Sequence, residues 1–364
     1  MTRLALCGLI LALAAACKKD SPTQQTPAVF PGGDTTFKPS GATLLSTSTP
    51  GNDEDPFVLK LRNGRMLVAW FSDHDGNPDI YITSTLDGVT WTPQTRITNN
   101  AFADYYPSLY EDAAGTVHLT WFRWVNVNLG QVFYSSSPDG LTWSPANEIA
   151  ATTILGSDEW VPSITQAANG NLLIYFVSAK RRTFSATSDL YVAVKRAGSA
   201  TWDAAVPVPG VNSATEHDHL PSATRTGDRI SLVWTRNDLT AEVPWLAAKS
   251  TLYYATSADG LAFTTPVRIT NDAGNVLNVF PTQFLDSSGA WQLLFLSTRN
   301  GQAIPYSLPL ANVASYPAGL VAESSLGSGY SHHVAATTSP GVYLGVWVTG
   351  PDGAHDVYYR FFRR

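Results

Sequence analysis

The sequence has very little cysteine and a small charged fraction. Its only two cysteines, Cys7 and Cys17, lie near the N-terminus of the 364-residue chain. The remainder therefore cannot form a disulfide or a cysteine-ligated metal site. Charged residues make up 14%, and the formal net charge is −6, with lysine and arginine scattered along the chain. Because no basic cluster is available to hold phosphate groups, we expect no nucleic-acid partner.

Methionine is nearly absent, with 2 residues, whereas aromatic residues are plentiful, with 11 Trp, 15 Tyr and 15 Phe. Hydrophobic residues account for 44% of the chain, enough for a sizeable buried core. Aromatic side chains, together with the abundant Val and Thr, suit pleated strands better than helices. The composition therefore favours a globular all-β protein.

The N-terminal segment has the pattern of an export signal. Arg3 supplies a positive charge, and residues 4–16 form an apolar run too short to span a bilayer comfortably. The junction Ala14-Ala15-Ala16-Cys17 resembles a bacterial lipobox, in which the cysteine becomes the lipidated first residue of the mature protein. Ordinary signal cleavage is the alternative. We predict a signal peptide over residues 1–16 and a lipid anchor at Cys17.

A polar segment separates this junction from the rest of the chain. Residues 17–40 are rich in Pro, Thr, Gln and Gly, and we predict that they form a flexible tether. The stretch Lys18-Lys19-Asp20 resembles the surface-export signal of some Gram-negative lipoproteins. We therefore expect attachment to the cell envelope at the outer membrane, with display on the cell surface as a further option, and a folded domain over 41–364.

A short strand that contains a proline near its start recurs along the chain. A sixth copy, "YSHHVAAT", begins at Tyr330 and has Ser331 in the proline's place. The prolines are separated by 51, 55, 59 and 60 residues. They are Pro56, Pro107, Pro162, Pro221 and Pro281.

Each opening strand is followed by an apolar second strand, a third strand and, in most copies, a short fourth strand. In the first copy these are "MLVAWFS" (66–72), "DIYITST" (79–85) and "TRIT" (95–98). Four antiparallel strands repeated six times predict a six-bladed β-propeller. The last copy lacks a fourth strand, and we predict that "TLLSTS" (43–48) fills that place and closes the ring.

A second phrase recurs between third and fourth strands, as "STLDGVTW", "SSSPDGLTW" and "TSADGLAF". Each contains an Asp-Gly turn followed by an aromatic residue that can pack between sheets. The phrases resemble the Asp-box, or BNR repeat, of the sialidase superfamily, in which the boxes are structural and lie opposite the active site. The matching residues are Asp87, Gly88 and Trp91; Asp139, Gly140 and Trp143; and Asp259, Gly260 and Phe263.

Titratable and aromatic residues cluster just before the opening prolines, where six strand starts converge on one axis. We call the opening that these residues would line the mouth of the propeller. Its side chains suit carbohydrate binding and acid–base chemistry. We expect substrate contacts from Tyr106, Trp160, His219 and His332.

The sialidase resemblance implies particular roles in this mouth. "GYS" (329–331) resembles the motif of the nucleophilic tyrosine, which would be Tyr330, and Glu216 would activate it. Asp75 matches the acid/base aspartate, whereas Arg236 and Arg299 match arginines that hold the substrate's carboxylate by two hydrogen bonds.

The first opening strand departs from the sialidase pattern, because that family has Arg-Ile-Pro there, whereas this sequence has Asp55 before Pro56 and no arginine. An aspartate there resembles the catalytic base of arabinanase-like hydrolases, in which case Glu159 or Glu216 would be the acid. A polysaccharide lyase that uses His217 or His219 as its base is a third option, since "EHDHLPS" resembles a strand of some BNR-type lyases.

Two classes of function therefore remain open. The first is an exo-acting glycoside hydrolase with Tyr330, Glu216, Asp75 and Asp55 as catalytic residues. The second is a non-catalytic propeller that binds glycan or protein at the cell surface. In either case we expect a monomer that requires no metal ion or other cofactor.

Overall fold

The fold was described from a computed structural model of the chain. The structure describes residues 40–46, 50–126, 129–149, 157–180, 187–238, 247, 249–327, 329–351 and 353–364. The predicted signal peptide, Cys17 and nearly all of the predicted tether lie outside the described residues.

Six four-stranded antiparallel sheets form the blades of a propeller, as predicted. Blade 1 comprises β2 (Asp53–Lys60), β3 (Met66–Ser72), β4 (Asp79–Thr85) and β5 (Thr95–Arg96). Blade 2 comprises β6 (Ala103–Glu111), β7 (Val117–Asn126), β8 (Leu129–Ser137) and β9 (Asn147–Glu148). Blade 3 comprises β10 (Ser157–Gln166), β11 (Leu172–Lys180), β12 (Ser188–Lys195) and β13 (Val206–Pro207).

The remaining three blades repeat this order. Blade 4 comprises β14 (Glu216–Thr226), β15 (Arg229–Asp238), β16 (Ser250–Ser257) and β17 (Val267–Arg268). Blade 5 comprises β18 (Asn278–Leu285), β19 (Trp291–Ser297), β20 (Ile304–Pro309) and β21 (Val321–Ala322). Blade 6 comprises β22 (Tyr330–Ala336), β23 (Val342–Thr349), β24 (Asp356–Arg363) and, from the other end of the chain, β1 (Thr43–Leu44).

The second strands form the core because both faces of each are covered by neighbouring blades. Every residue of β3 is buried, and its Trp70 is among the largest fully buried side chains. A strand covered on both faces appears in the sequence as a continuous apolar run, which is what "MLVAWFS" shows. In the described part of the chain, no helix is long and apolar enough to cross a membrane.

The ring is closed by the N-terminal strand, as the missing fourth strand of the last copy predicts. Thr43 and Leu44 pair with Tyr359 and Tyr358 of β24. The pairing continues beyond β1, because the amide of Ser40 donates to the carbonyl of Phe361. This pairing covers an edge of blade 6 that would otherwise expose unpaired amides and carbonyls.

Every first strand has a β-bulge at the same place. In β2, for example, the pairing with β3 shifts between Glu54 and Phe57. The first bulge residue of each blade has a positive φ of 47–53°, although none is glycine. These six residues are Asp55, Tyr106, Val161, Leu220, Phe280 and Ser331, and we call them the bulge ring.

The bulge ring corrects the alignment of the sixth copy. In five blades a proline follows the bulge-ring residue directly. In blade 6 the bulge-ring residue is Ser331, so His332 and not Ser331 takes the proline's place. The prediction was off by one residue because the sixth copy has no proline to mark the bulge.

Side chains of the first strands also join neighbouring blades around the axis. The hydroxyl of Ser163 accepts from the amide of Ala223 at 3.0 Å, and that of Ser108 accepts from Ile164 at 3.3 Å. Nδ1 of His333 accepts from the amide of Val58 at 3.4 Å across the ring closure. These contacts satisfy amides that have no strand partner on the channel side.

The three Asp-box phrases form one kind of turn. In blade 1, Asp87 accepts from the amides of Val89 and Thr90, each at 2.8 Å, and the amide of Gly88 donates to Thr85. The backbone donors lower the pKa of Asp87. Corresponding bonds to Asp139 and Asp259 form the turns 137–143 and 257–263. The aspartates therefore hold backbone, as the structural role predicts.

Two features of the blade 4 turn require a glycine. Gly260 has a φ of +81°, and a Cβ there would overlap the side chain of Leu173 in the neighbouring blade. Blade 5 has no such turn, and a six-residue 3-10 helix, Leu310–Ser315, follows its third strand. We call the face that bears these turns the Asp-box face, and the opposite face, where the first strands begin, the site face.

Candidate active site

The bulge ring narrows the channel along the propeller axis. All six of its residues border a cavity of about 680 Å³, which extends from the ring towards the Asp-box face. The ring has two unlike halves. Blades 6, 1 and 2 contribute Ser331, Asp55 and Tyr106, whereas blades 3, 4 and 5 contribute Val161, Leu220 and Phe280.

Asp55 is the ionisable residue of the polar half. Its Oδ1 accepts from the hydroxyl of Ser331 at 3.2 Å, and its Oδ2 is buried without a hydrogen-bond partner. Burial, followed by the nearby carboxylate of Glu54, raises the pKa of Asp55 well above its ordinary value. Burial thus favours the protonated form of this carboxyl group in the wall of the channel.

Tyr330 lies beside two residues that the sequence analysis did not select. Its hydroxyl is 3.1 Å from Nδ1 of His355, and the same nitrogen is 2.7 Å from Oε1 of Glu54. Tyr330, Glu54 and His355 are all buried. Burial, followed by the charges of Glu54 and Asp55, raises the pKa of Tyr330 well above its ordinary value. The phenol is therefore protonated at rest and has a basic group within reach.

His355 reaches this cluster because the ring closes next to blade 1. It lies between β23 and β24, and its carbonyl accepts from the amide of Asp53 at 2.8 Å. No sequence repeat marks this loop. Glu54 lies inside the acidic stretch "NDED", but the sequence does not distinguish it from its neighbours.

The structure does not bring Glu216 to Tyr330. Glu216 is the first residue of β14 in blade 4, where it lies opposite Asp238 of β15. Tyr330 begins the first strand of blade 6, and its hydrogen-bond partner is His355. The group next to Tyr330 that can accept its proton is therefore Glu54 or His355.

Asp75 lies in the loop between the second and third strands of blade 1, as predicted, and is partly exposed. The hydroxyl of Tyr81 donates to its Oδ2, and His74 and Arg96 each approach that oxygen at 3.5 Å. The hydrogen bond from Tyr81 lowers the pKa of Asp75. Asp75 is thus an ionised residue at the outer part of the site face.

Arg236 is held by a carboxylate of its own blade. Its Nε is 2.7 Å from Oδ1 of Asp218, which also accepts from the indole of Trp234 at 2.7 Å. Blade 2 repeats this arrangement with Arg123, Asp104 and Trp121. The repetition shows that the contact between aspartate, tryptophan and arginine joins the first two strands of a blade.

Arg299 is engaged in a similar way in blade 5. Its Nη2 is 3.3 Å from Oδ2 of Asp272 and also donates to the hydroxyl of Tyr316. Both side-chain groups of the pair are largely buried. Neither Arg236 nor Arg299 therefore presents a free guanidinium group to a substrate carboxylate.

The predicted aromatic and histidine contacts lie on different parts of the mouth. Trp160 and His219 pack edge to face with ring centroids 5.6 Å apart, and burial lowers the pKa of His219 to about 3. His217 accepts from the amide of Ser188 at 2.9 Å. Trp160, His217 and His219 thus form a buried aromatic group between blades 3 and 4.

Tyr106 and His332 border the cavity itself. Tyr106 stacks on Phe122 with centroids 5.8 Å apart. Nε2 of His332 is 2.9 Å from the carbonyl of Gly327, and burial lowers the pKa of His332 to about 4. The predicted residues that meet in the channel wall are therefore Asp55, Tyr106 and His332, with Tyr330 immediately behind Asp55.

The six-bladed propeller is a class of fold that this chain shares with solved glycoside hydrolases. No protein-family model matches the sequence, and no curated protein matches it. A protein of unknown function from Dyadobacter fermentans superposes with a TM-score of 0.70 at 14% identity, over 88% of this chain and 97% of its own.

Two solved hydrolases share the fold. An α-L-arabinanase from Penicillium chrysogenum, solved with arabinobiose, superposes with a TM-score of 0.63 at 16% identity, over 88% of this chain and 98% of its own. A Trypanosoma rangeli sialidase gives a TM-score of 0.64 at 10% identity, over 86% of this chain and 55% of its own. The resemblance to the sialidase superfamily is thus confirmed at the level of the fold.

Proposed function

We propose that the protein is a cell-envelope lipoprotein whose propeller acts as an exo-glycoside hydrolase. The observation that carries the proposal is the desolvated carboxyl group of Asp55 in the channel wall, directly in front of the cluster of Glu54, His355 and Tyr330. Solved arabinanases and sialidases of the same fold support a hydrolytic reaction. The lipid anchor at Cys17 and the exo mode belong to the same proposal.

Asp55 is the proposed general acid. Glycosidic bond cleavage requires a carboxyl group that keeps its proton near neutral pH and gives it to the leaving oxygen. Burial raises the pKa of Asp55 in this way, and its Oδ2 has no hydrogen-bond partner that would compete with a substrate oxygen.

Tyr330 is the proposed nucleophile. A protonated phenol attacks poorly unless a base removes its proton as the new bond forms. His355 lies 3.1 Å from the hydroxyl, and Glu54 contacts the same ring nitrogen, so the pair can accept that proton. Asp75 is ionised and partly exposed, and we assign it to substrate binding at the outer site face.

A neutral sugar is the proposed substrate. Both arginines that would hold a sialic-acid carboxylate already have carboxylate partners, Asp218 and Asp272. The first opening strand, which has Asp55 before Pro56, supplies no third arginine for an anionic sugar. The arabinanase bound to arabinobiose supports a pentose oligosaccharide as the first substrate to test.

The test is the release of sugar from a panel that contains arabinobiose, linear arabinan and sialyllactose. We expect the wild type to release single terminal sugars from a neutral glycan. Asp55→Asn should lower the rate by roughly 10²- to 10⁴-fold, the usual contribution of a general acid. Leu220→Asn is the matched control, because it changes the equivalent backbone position in the apolar half of the bulge ring.

Two results would contradict the proposal. One is an Asp55→Asn variant as active as Leu220→Asn. The other is release of sialic acid by the wild type without release of any neutral sugar.

A non-catalytic glycan-binding propeller is the second candidate. The observation that favours it is the burial of Glu54, Tyr330 and His355, each exposed by 3% or less. Binding of arabino-oligosaccharides measured by calorimetry, without product release by any preparation, would select this candidate.

A further inference from the structure

The direction of the strands determines where the predicted tether joins the propeller. In every blade the fourth strand runs from the Asp-box face towards the site face, because it follows the turn after the third strand. β1 occupies the fourth-strand place in blade 6 and is antiparallel to β24. Ser40 pairs with Phe361, close to the end of β24 on the Asp-box face. The chain therefore enters the propeller from the Asp-box face.

The turn 85–91 of blade 1 lies next to this point. Trp91 of that turn packs edge to face on Tyr359, with ring centroids 5.0 Å apart, and Tyr359 is the pairing partner of Thr43. A side-chain hydrogen bond from Gln94 to the carbonyl of Leu45 joins the same two segments. The first described residues of the chain and this turn are thus neighbours.

Large apolar side chains are exposed at the same place. Val89 is 84% exposed and Leu86 is 49% exposed, both within the turn 85–91. Leu141, 45% exposed, belongs to the equivalent turn of blade 2, whose Gly140 is close to Leu61 of blade 1. Water-exposed side chains of this size carry a hydrophobic cost unless an apolar phase receives them.

The two faces also differ in charge. On the site face, most of the carboxyl groups at the starts of the first strands are buried, and Asp104 and Asp218 are paired with Arg123 and Arg236. The Asp-box face carries both signs, since its aspartates are accompanied by Lys60, Arg62, Arg65, Lys195, Arg225 and Arg229 at strand ends. Basic side chains of the Asp-box face can attract the phosphate groups of a lipid surface.

We infer that the Asp-box face of blades 1 and 2 lies against the lipid surface that holds the anchor, with Leu86, Val89 and Leu141 in contact with the headgroup region. The site face then points away from the membrane. This inference rests on the lipid anchor in the proposed function and not on hydrolysis. A flexible tether of 22 residues, as the sequence predicts, has a root-mean-square span of about 26 Å, short enough to favour one face over the other.

The chain is well suited to a direct test, because its described residues contain no cysteine and Cys17 would be acylated. Single cysteines are introduced as Leu141→Cys and Phe102→Cys and labelled with an environment-insensitive fluorophore. The two positions are matched, since Leu141 is 45% and Phe102 is 44% exposed. Phe102 precedes the first strand of blade 2 and lies at the site face.

The full-length lipoprotein is purified in detergent and reconstituted into phosphatidylcholine–phosphatidylglycerol vesicles that contain a lipid with a nitroxide on its headgroup. We expect a larger loss of fluorescence at position 141 than at 102, and an equal, small loss for both in detergent without the nitroxide lipid. Adding Leu86→Lys and Val89→Lys to the Leu141→Cys variant should reduce the loss.

Three outcomes would overturn the inference. They are equal quenching at the two positions, stronger quenching at 102, and a protein that does not remain with the vesicles. No sugar is used, so a failure of the proposed hydrolysis would leave these measurements unchanged. Conversely, if the Asp-box face did not lie against the lipid surface, the rate of sugar release in detergent would be unchanged.

Discussion

The two halves of the bulge ring have the same backbone and different chemistry. All six residues have a φ near +50°, and each is the first residue of a bulge in the first strand of a blade. Blades 3 to 5 fill this position with Val161, Leu220 and Phe280. Blades 6, 1 and 2 fill it with Ser331, Asp55 and Tyr106, and only this half adjoins the cluster around Tyr330.

The difference shows which part of the ring belongs to the fold and which to the site. A strained conformation that occurs in every blade is a property of the propeller and does not identify function. A buried carboxyl group without a full set of partners costs stability in any position, and it occurs where the ring closes. Carboxylates of blades 2 and 4, by contrast, have arginine partners.

The paired carboxylate of blade 4 should give the largest effect on stability. Asp218→Ala leaves the guanidinium of Arg236 and the indole of Trp234 without their acceptor in a buried place. We expect the free energy of unfolding to fall by about 3–5 kcal/mol, measured by denaturant titration. Asp228→Ala, an exposed aspartate of the same blade, is the control and should change it by less than about 0.5 kcal/mol. Similar losses in both variants would show that the pair has no structural role.

The unpaired carboxyl group of blade 1 should behave in the opposite way. The folded-state pKa of Asp55 is raised, so its contribution to stability is present below pH 4 and is lost as the pH rises through that pKa. The Asp55→Asn variant has no carboxyl group to ionise at this position, so it does not lose stability in this way. We therefore expect the variant to gain stability relative to the wild type between pH 5 and pH 8, measured by denaturant titration at both values. If the stability of the wild type and that of the variant changed equally between the two pH values, this assignment would be wrong.

The histidine that joins blade 6 to blade 1 should make the closure sensitive to acid. Burial lowers the pKa of His333 to about 3, from an ordinary value of 6.5. Its contribution is therefore present above pH 6.5 and is lost as the pH falls towards 3. His333→Gln, which can still accept from Val58, should unfold at a lower pH than the wild type in an acid titration followed by tryptophan fluorescence. An unchanged acid midpoint would exclude His333 as a cause of acid sensitivity.

The positive φ that the bulge-ring residues share predicts the smallest effect on stability. The test is whether the glycine or the alanine variant is the more stable one. Val161 has a φ of +47°, so glycine there should be more stable than alanine by about 1 kcal/mol. Val206, in the outermost strand of the same blade, has an ordinary φ, and alanine there should be more stable than glycine by roughly 0.5–1 kcal/mol. The same preference at both positions, measured by thermal unfolding, would mean that the ring is not strained.

The repeats made the fold predictable, because each of their signals depends on local sequence. Opening prolines, apolar second strands and Asp-Gly turns all lie within one blade. The missing fourth strand also identified β1, since closure needs an N-terminal strand. The alignment failed by one residue in blade 6, where His332 follows the bulge and no proline marks it.

The site was less predictable because its contacts join distant parts of the chain. Glu54 and His355 are 301 residues apart in sequence, and no repeat connects them. The role of Arg236 had a local signal, the Trp-x-Arg pattern of blades 2 and 4, with an aspartate in each first strand. The sialidase resemblance implied a contact between Arg236 and the substrate, whereas the pattern places Arg236 against Asp218.

The closing strand has a mechanical consequence. β1 is only two residues long, and it is both the seal of the ring and the joint to the predicted tether. Any pull between the propeller and its attachment point is therefore applied first to the hydrogen bond between Ser40 and Phe361, and then to the pairs Thr43–Tyr359 and Leu44–Tyr358. The load acts along the strand, so its backbone hydrogen bonds resist together in shear, and we expect the pairing of β1 with β24 at the outer edge of blade 6 to break first under such a pull.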